Sequence, residues 1–230
     1  MALKDDLAGQ VTAILRTDWK RRKGTVVPTD QSVTLGNDAV ELEATVLYAD
    51  LADSTKLVDG YKDWFAAEIY KSFLYCAARL IEAEGGTITA YDGDRVMAVY
   101  IGDRKDTAAV TTALRINWAA KQLIQPAIKA RYTDAQYVLQ HVCGIDTSKL
   151  FVAKTGIRGA NDLVWVGRAA NHAAKLAALD HTKPTWISAD VYQQLAKEVK
   201  FVDGVDIWLP HTWTPMNGMR IYSSTYHWGL

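Results

Sequence analysis

Two aspartates hold positions where the sequence offers them no obvious partner. Asp50 interrupts the apolar run Ala44-Thr45-Val46-Leu47-Tyr48-Ala49-Asp50-Leu51 near its end, and Asp94 opens a second apolar run, Arg95 to Ile101. A buried, unpaired carboxylate costs several kcal/mol, so something should neutralise it. If the fold draws the two together they repel, and a divalent cation both relieves that repulsion and holds the oxygens of a polyphosphate. The chemistry suited to such a pair is phosphoryl or nucleotidyl transfer. The plainer reading of Asp94 is a turn residue beside Asp92-Gly93.

Directly after Asp50, the segment Leu51-Ala52-Asp53-Ser54-Thr55 leads into a helix. First-turn N–H groups lack intrahelical partners and suit phosphate oxygens, although Asp53, Ser54 and Thr55 suit helix capping equally well. Further on, Asn171 and Lys175 stand four apart among Ala169, Ala170, Ala173, Ala174, Ala177 and Ala178. Helical spacing puts that amide and that cation on one face with small neighbours, open to a ligand or another chain, while plain packing explains the alanines as well.

These residues need a scaffold, and the hydrophobic spacing suggests one. Ala44 to Leu51 reads as a buried central strand. From Trp64 to Ile81, Phe65, Ile69, Phe73, Ala77 and Ile81 recur at helical spacing until Gly85-Gly86 stops them. Thr87 to Tyr91 and Arg95 to Ile101 flank the Asp92-Gly93 turn of a hairpin. Thr107 to Leu123 reads as a second helix, Tyr137 to Ile145 as a strand, Lys149 to Lys154 as another, and Gly156 to Asn161 as a turn. A short apolar stretch, Leu163 to Val166, precedes a helix from Gly167 through Leu179, a strand Pro184 to Ser188 and a helix Ala189 to Lys197.

Strand, helix, hairpin, helix, strand is the order of an α+β, ferredoxin-like βαββαβ core with helices on one face, here extended at its carboxyl end. In that sheet the first strand lies beside the hairpin, which brings Asp94 near Asp50. Ahead of it, Leu7, Val11, Leu15 and Trp19 form the stripe of an amino-terminal helix, with Lys20 to Lys23 as its solvated end. The polar stretch Val26 to Ala39 reads as a connector, so residues 1–40 are expected to be an appendage to a main domain at 41–230. The helix stripe needs a mate, and a second copy of the chain is slightly favoured over its own domain.

With 230 residues and 49% hydrophobic side chains, one domain with a sizeable core is expected. Basic and acidic residues number 26 each, which gives no global positive field for nucleic acid. Cys76 and Cys143 sit in apolar stretches without metal-ligand spacing, as buried thiols of a reducing compartment would. No apolar run reaches membrane-spanning length, and Lys4-Asp5-Asp6 is unlike a signal peptide. A cytoplasmic protein, bound to neither membrane nor nucleic acid, is expected.

Taken in order, Val46 to Thr55, Gly85-Gly86, Asp92 to Ala98, Gly144-Ile145-Asp146 and Gly167 to Leu176 resemble the motifs of class III nucleotidyl cyclases over about residues 41–188. The resemblance implies a head-to-tail homodimer with active sites at the interface, making 41–230 the catalytic domain. It implies that Asp50, Asp94 and the Leu51 backbone carbonyl hold two divalent ions, Mg2+ or Mn2+, with Asp53, Ser54 and Thr55 at the phosphates. Asn171 of the other chain would orient the ribose and reacting phosphate, and Lys175 stands where the family has an arginine. Arg158 and Arg168 are further candidates for the triphosphate.

Ala90 and Val164 occupy the places of the adenine-reading lysine and aspartate, so both purine-reading charges are missing. Tyr48 lies on the same side of its strand as Asp50 and would narrow the base pocket, although an ordinary core aromatic explains it as well. This pattern, with the carboxyl-terminal Tyr222 to Trp228, resembles the pyrimidine cyclases of the bacterial Pycsar antiphage system. The resemblance implies UTP as substrate, or CTP, and a cyclic nucleotide that activates a separate effector. A catalytically silent nucleotide-binding dimerisation module is the reading from another class.

Overall fold

The apolar run ahead of Asp50 belongs to a strand that starts earlier than its hydrophobic signal. In the computed structural model, which describes residues 2–230, the elements in chain order are α1 (Leu3–Arg16), β1 (Lys20–Lys23), β2 (Asp38–Leu51), α2 (Ser54–Gly60), α3 (Asp63–Ala83), β3 (Thr87–Asp92), β4 (Arg95–Tyr100) and α4 (Lys105–Ala119). After a π turn at Ala120–Ile124 come α5 (Gln125–Arg131), β5 (His141–Ile157), β6 (Ala160–Val166), α6 (Arg168–Leu176), β7 (Thr185–Ser188), α7 (Ala189–Gln194) and α8 (Lys197–Lys200). Four short strands follow: β8 (Phe201–Val202), β9 (Val205–Asp206), β10 (Leu209–Trp213) and β11 (Met219–Ser224).

The main sheet runs β10-β11-β7-β5-β2-β4-β3. Its inner stretch β5-β2-β4-β3 is antiparallel throughout and has the ferredoxin-like strand order, with β2 between β5 and the hairpin. Side chains alternate along β2 as the two-residue period requires. Leu47, Ala49 and Leu51 enter the large core under α3 and α4, with Phe65, Ile69, Phe73, Val110 and Leu114. Val40, Leu42, Ala44 and Val46 face the other way and meet Met97, Val99, Ala169, Ala170 and Ala173.

That second cluster corrects the expectation of helices on one face only, because α6 covers the opposite face. Gly144 permits it: a Cβ there would fall 2.2 Å from the Ala173 carbonyl oxygen, so only glycine lets α6 lie so close to β5. Two further readings change. Residues 141–157 form one continuous strand, not two separated near Asp146, because Asp146 is fully buried and bound from α6. Lys20–Lys23 is no helix end but a fully exposed strand pairing in parallel with Asp38–Glu41 of β2, and a charged, solvated edge carries no hydrophobic alternation to announce it. The first helix accordingly stops at Arg16, and Trp19 leaves its stripe to pack edge-on against Phe151, centroids 4.8 Å apart. None of the α1 residues is buried. Among the described residues, no helix is long and apolar enough to cross a membrane.

At the start of β5, His141 is 3% exposed and lies against Phe73, ring centroids 5.6 Å apart. Burial, reinforced by the nearby Lys121 charge, pushes its pKa down from 6.5 to about 3. The unfolded chain therefore takes up a proton that the folded chain refuses. This contribution is intact above about pH 6.5 and is lost as the pH falls toward 3. At pH 5 the loss is about 2 kcal/mol. Urea midpoints at pH 7 and pH 5 test this: His141→Gln should flatten the acid-induced drop, and a variant falling as steeply as the parent assigns the sensitivity elsewhere.

Candidate active site

Register along β2, β4 and β3 sets the site. Asp50 pairs with Arg95, which pairs with Asp92, and two residues away Tyr48 pairs with Met97, which pairs with Ala90. The two rows lie side by side on the α6 face of the sheet. Gly93, at φ 62°, closes the hairpin and delivers Asp94 directly ahead of Arg95. Asp50 and Asp94 thus converge at one end of the sheet, as the sequence predicts.

The electrostatics match that placement. Burial, followed by the Asp94 charge, pushes the Asp50 pKa up from 3.8 to about 6. One carboxylate oxygen of Asp94, Oδ2, is buried without a hydrogen-bond partner. A buried acceptor left unsatisfied beside a second carboxylate is a donor set suited to a hard cation. Among the described residues no group of three or more His, Cys, Asp or Glu side chains is gathered for a metal. Any ion here would rest on two carboxylates completed by backbone or substrate oxygens.

After Leu51, Asp53 adopts a left-handed backbone, φ 58°, and α2 starts at Ser54. The Asp53 carboxylate meets Lys56 Nζ at 2.9 Å and caps nothing. The first-turn N–H groups of α2 therefore have no side-chain cap. Two residues that sequence reasoning passed over also belong here. Arg95 lies over the Tyr48 ring, 5.3 Å from its centroid, and donates to Asp92 at 2.6 Å. The Tyr70 phenol, from α3, is close enough for Asp94 and Asp50 to act on its ionisation. The hairpin register was a readable signal for Arg95; Tyr70, one residue off the apolar stripe of its helix, gave none.

The other named residues lie elsewhere. Val164 pairs with Ala153, which pairs with Ala39, eleven residues before Asp50 on β2. At strand spacing that separates Val164 from Asp50 by roughly 35 Å within one chain. Asn171 and Lys175 are exposed on α6, with Lys175 Nζ 3.5 Å from Met216 Sδ. The base of that helix is anchored: Arg168 donates to Asp146 at 3.2 Å and to Asp190, and His172 Nδ1 lies 3.1 Å from the same Asp146 oxygen. Arg168 is therefore committed to holding α6 and not free for a triphosphate, while Arg158 stays exposed in the β5–β6 turn.

Three relatives match essentially the whole chain. Uridylate cyclase of Xanthomonas perforans is 54% identical over 231 residues, covering 100% of both chains. Uridylate cyclase of Burkholderia cepacia is 52% identical with 99% of each covered. That of Rhodovulum sp. is 39% identical with 98% of this chain and 97% of its own covered. No family model matches. Among solved structures, a bacterial light-regulated adenylyl cyclase superposes with a TM-score of 0.72 at 20% identity, over 87% of this chain and 57% of that one. The adenylyl cyclase CyaB from P. aeruginosa gives 0.67 at 20% identity, over 81% and 95%. The strand order, the acidic pair at its end and full-length identity to these relatives lead to one assignment: the chain is a nucleotidyl cyclase with the class III fold and belongs to the uridylate cyclase family.

Proposed function

We propose that the chain converts UTP to 3′,5′-cyclic UMP and pyrophosphate as a homodimer with two shared active sites. The observation that carries the reading is the buried, unpartnered oxygen of Asp94 next to an Asp50 whose ionisation is resisted until about pH 6. Asp50, Asp94 and the Leu51 carbonyl would hold two divalent cations, Mg2+ or Mn2+. Bound there, they would supply charge stabilisation for the attacking ribose oxygen and the departing pyrophosphate.

In the reaction the 3′ oxygen bonds to the α-phosphorus, the bond from that phosphorus to the bridging oxygen breaks, and the hydroxyl proton is lost. This chain's part is to hold the reactants in line. First-turn N–H groups of Ser54 and Thr55, beside Asp53, receive phosphate oxygens. Asn171 and Lys175 of the second copy donate to the ribose and the reacting phosphate, where a donor aimed at developing charge acts only if already in place. The contacts of Arg168 with Asp146 and Asp190 keep α6 in position for this. Lysine in place of an arginine offers a point charge instead of a planar fork.

The Tyr48 ring, backed by Arg95, forms a wall where the base would lie, and Ala90, in the same row as Tyr48, brings no charge to it. Val164 of the partner would close the pocket. A pocket so narrowed and stripped of purine-reading charges favours the smaller base. Uracil over cytosine rests on the names of the relatives. The product, by the same family relationship, would act as a messenger for a separate effector in antiphage defence.

Incubating the purified chain with each nucleoside triphosphate and Mg2+ or Mn2+, then resolving products by mass, tests the reading. Cyclic UMP from UTP and little product from ATP or GTP is expected. Cyclic CMP as the main product would reassign the base, and no cyclic product with any nucleotide or ion would leave a nucleotide-binding module. Tyr48→Ala should raise the rate with purines relative to UTP by about 10-fold, since pocket volume alone discriminates modestly. An unchanged preference across all four nucleotides removes Tyr48 as a selector.

A further inference from the structure

The helical segment that begins at Lys105 does not run uniformly to Arg131. Between α4 and α5, residues Ala120–Ile124 form a π turn. Single π turns inside α-helices are rare and occur frequently at functional sites. This one lies against a cavity of about 340 Å3, large enough for a small metabolite. The π turn contributes Lys121, and His141 and His181 line the same space with Val138, Leu139 and Pro184.

Among the described residues, no acidic side chain lines this cavity. Lys121 is exposed at its open side, so a cation faces the space without a neutralising neighbour. His141 is 3% exposed, and among the described residues its Nε2 is buried with no hydrogen-bond partner. A buried polar atom left unsatisfied in a native fold calls for an explanation, and the ring that carries this one belongs to a residue lining the cavity. The Lys121 charge bears on the His141 ring, which places the two within electrostatic reach across the cavity.

The cavity lies on the opposite face of the sheet from Tyr48 and Asp50, although its His181 is near enough for its charge to act on Asp53. His141 belongs to the α3 and α4 side of the sheet, with Leu51, Cys143 and Ile145, whereas Tyr48 and Asp50 face α6. Yet the two are joined by backbone. Leu51 pairs with His141 in the ladder, and the Ala52 N–H donates to the Gln140 carbonyl at 2.9 Å. Gln140 lines the cavity and Ala52 lies two residues after Asp50.

We propose that this cavity is a regulatory site for a small organic anion, whose charged group pairs with Lys121, whose body packs on Val138 and Pro184, and whose binding is felt at Ala52. Occupancy restrains Gln140 and His141, and through them the backbone that carries Asp50 and enters α2. The proposal holds whichever nucleotide the enzyme cyclises.

The full-length chain, labelled for NMR, is titrated with two probes, inorganic phosphate and benzoate, against a chloride control of equal ionic strength. A saturable shift of the His141 and His181 ring signals with one probe is expected, and the better probe identifies the phosphate or carboxylate class. The Ala52 amide should shift with the same midpoint. Lys121→Met should weaken binding about 10-fold, as loss of a charge-assisted contact does, while melting like the parent; Lys121→Gln serves if that variant fails to fold. Asp50→Asn should leave the midpoint unchanged, which separates this site from the catalytic one. Absence of a saturable ring shift with both probes, or an unchanged midpoint in the Lys121 variant, overturns the site. A ring shift without the Ala52 shift overturns the coupling.

Discussion

Asp50→Ala and Asp94→Ala should each lower cyclic nucleotide formation by about 10³-fold or more, with the chain still folded. The size follows from what the carboxylates would do: loss of a single fixed transition-state contact costs about 10² to 10³ in rate, and losing a metal ligand removes more than one contact. That the fold survives follows from the same geometry. Burial first, and the Asp94 charge after it, make Asp50 resist ionisation up to about pH 6, so at neutral pH this carboxylate opposes folding in the absence of a cation. Alanine there removes an unfavourable charge. Thermal melting of the metal-free Asp50→Ala chain should match or exceed the parent, whereas added Mg2+ or Mn2+ should stabilise only the parent. Asp50→Asn keeps the volume and should lose activity equally. A variant of either aspartate that cyclises UTP at the parental rate removes the pair from the mechanism.

How much of this was readable in advance depended on the kind of signal each element carries. The Asp92-Gly93 turn is local chemistry, since glycine adopts the backbone at φ 62° without steric cost, and from it followed the hairpin; the ferredoxin-like order of the elements then put that hairpin beside β2 and Asp94 near Asp50. The long strand β5 was harder. Asp146, Thr147 and Ser148 read as a polar break, but in the fold Asp146 is neutralised by Arg168 from α6, and Thr147 accepts a hydrogen bond from Thr45 at 3.1 Å on the neighbouring strand. Polar residues satisfied by partners distant in sequence are indistinguishable from a loop until the partners are placed.

The same limit hid α6 on the second face and the Tyr48–Arg95 stack. Arg95 follows Asp94 directly, yet only the β2–β4 register puts its guanidinium over a ring on the next strand. Likewise β1 has no apolar residue at all, and nothing in Lys20–Lys23 distinguishes a solvated strand from a solvated helix end. The π turn was equally silent. It precedes Pro126, which sits in the first turn of α5 where its missing N–H is tolerated.

The division of residues between two regions of one chain has a consequence that mixing experiments can reach. Tyr48, Ala90, Asp50 and Asp94 gather at one end of the sheet, while Val164 lies roughly 35 Å away along β2 and β5, and Asn171 and Lys175 point out from α6. If each active site draws the first group from one copy and the second from its partner, then Asn171→Ala should lower turnover about 10²-fold on its own. Combined in equal amounts with Asp50→Ala, it should recover activity. Random assortment makes roughly half the dimers mixed, and each mixed dimer has one site carrying both substitutions and one carrying neither. Recovery should therefore reach about a quarter of the parental rate after subunit exchange, from two proteins that are each nearly inactive. The double variant Asp50→Ala/Asn171→Ala, mixed with parent, gives the converse control, because every mixed dimer then holds two damaged sites. Recovery absent from the first mixture, with exchange verified by mass, would mean that Asn171 serves its own chain or none, and the shared-site arrangement would fall with it.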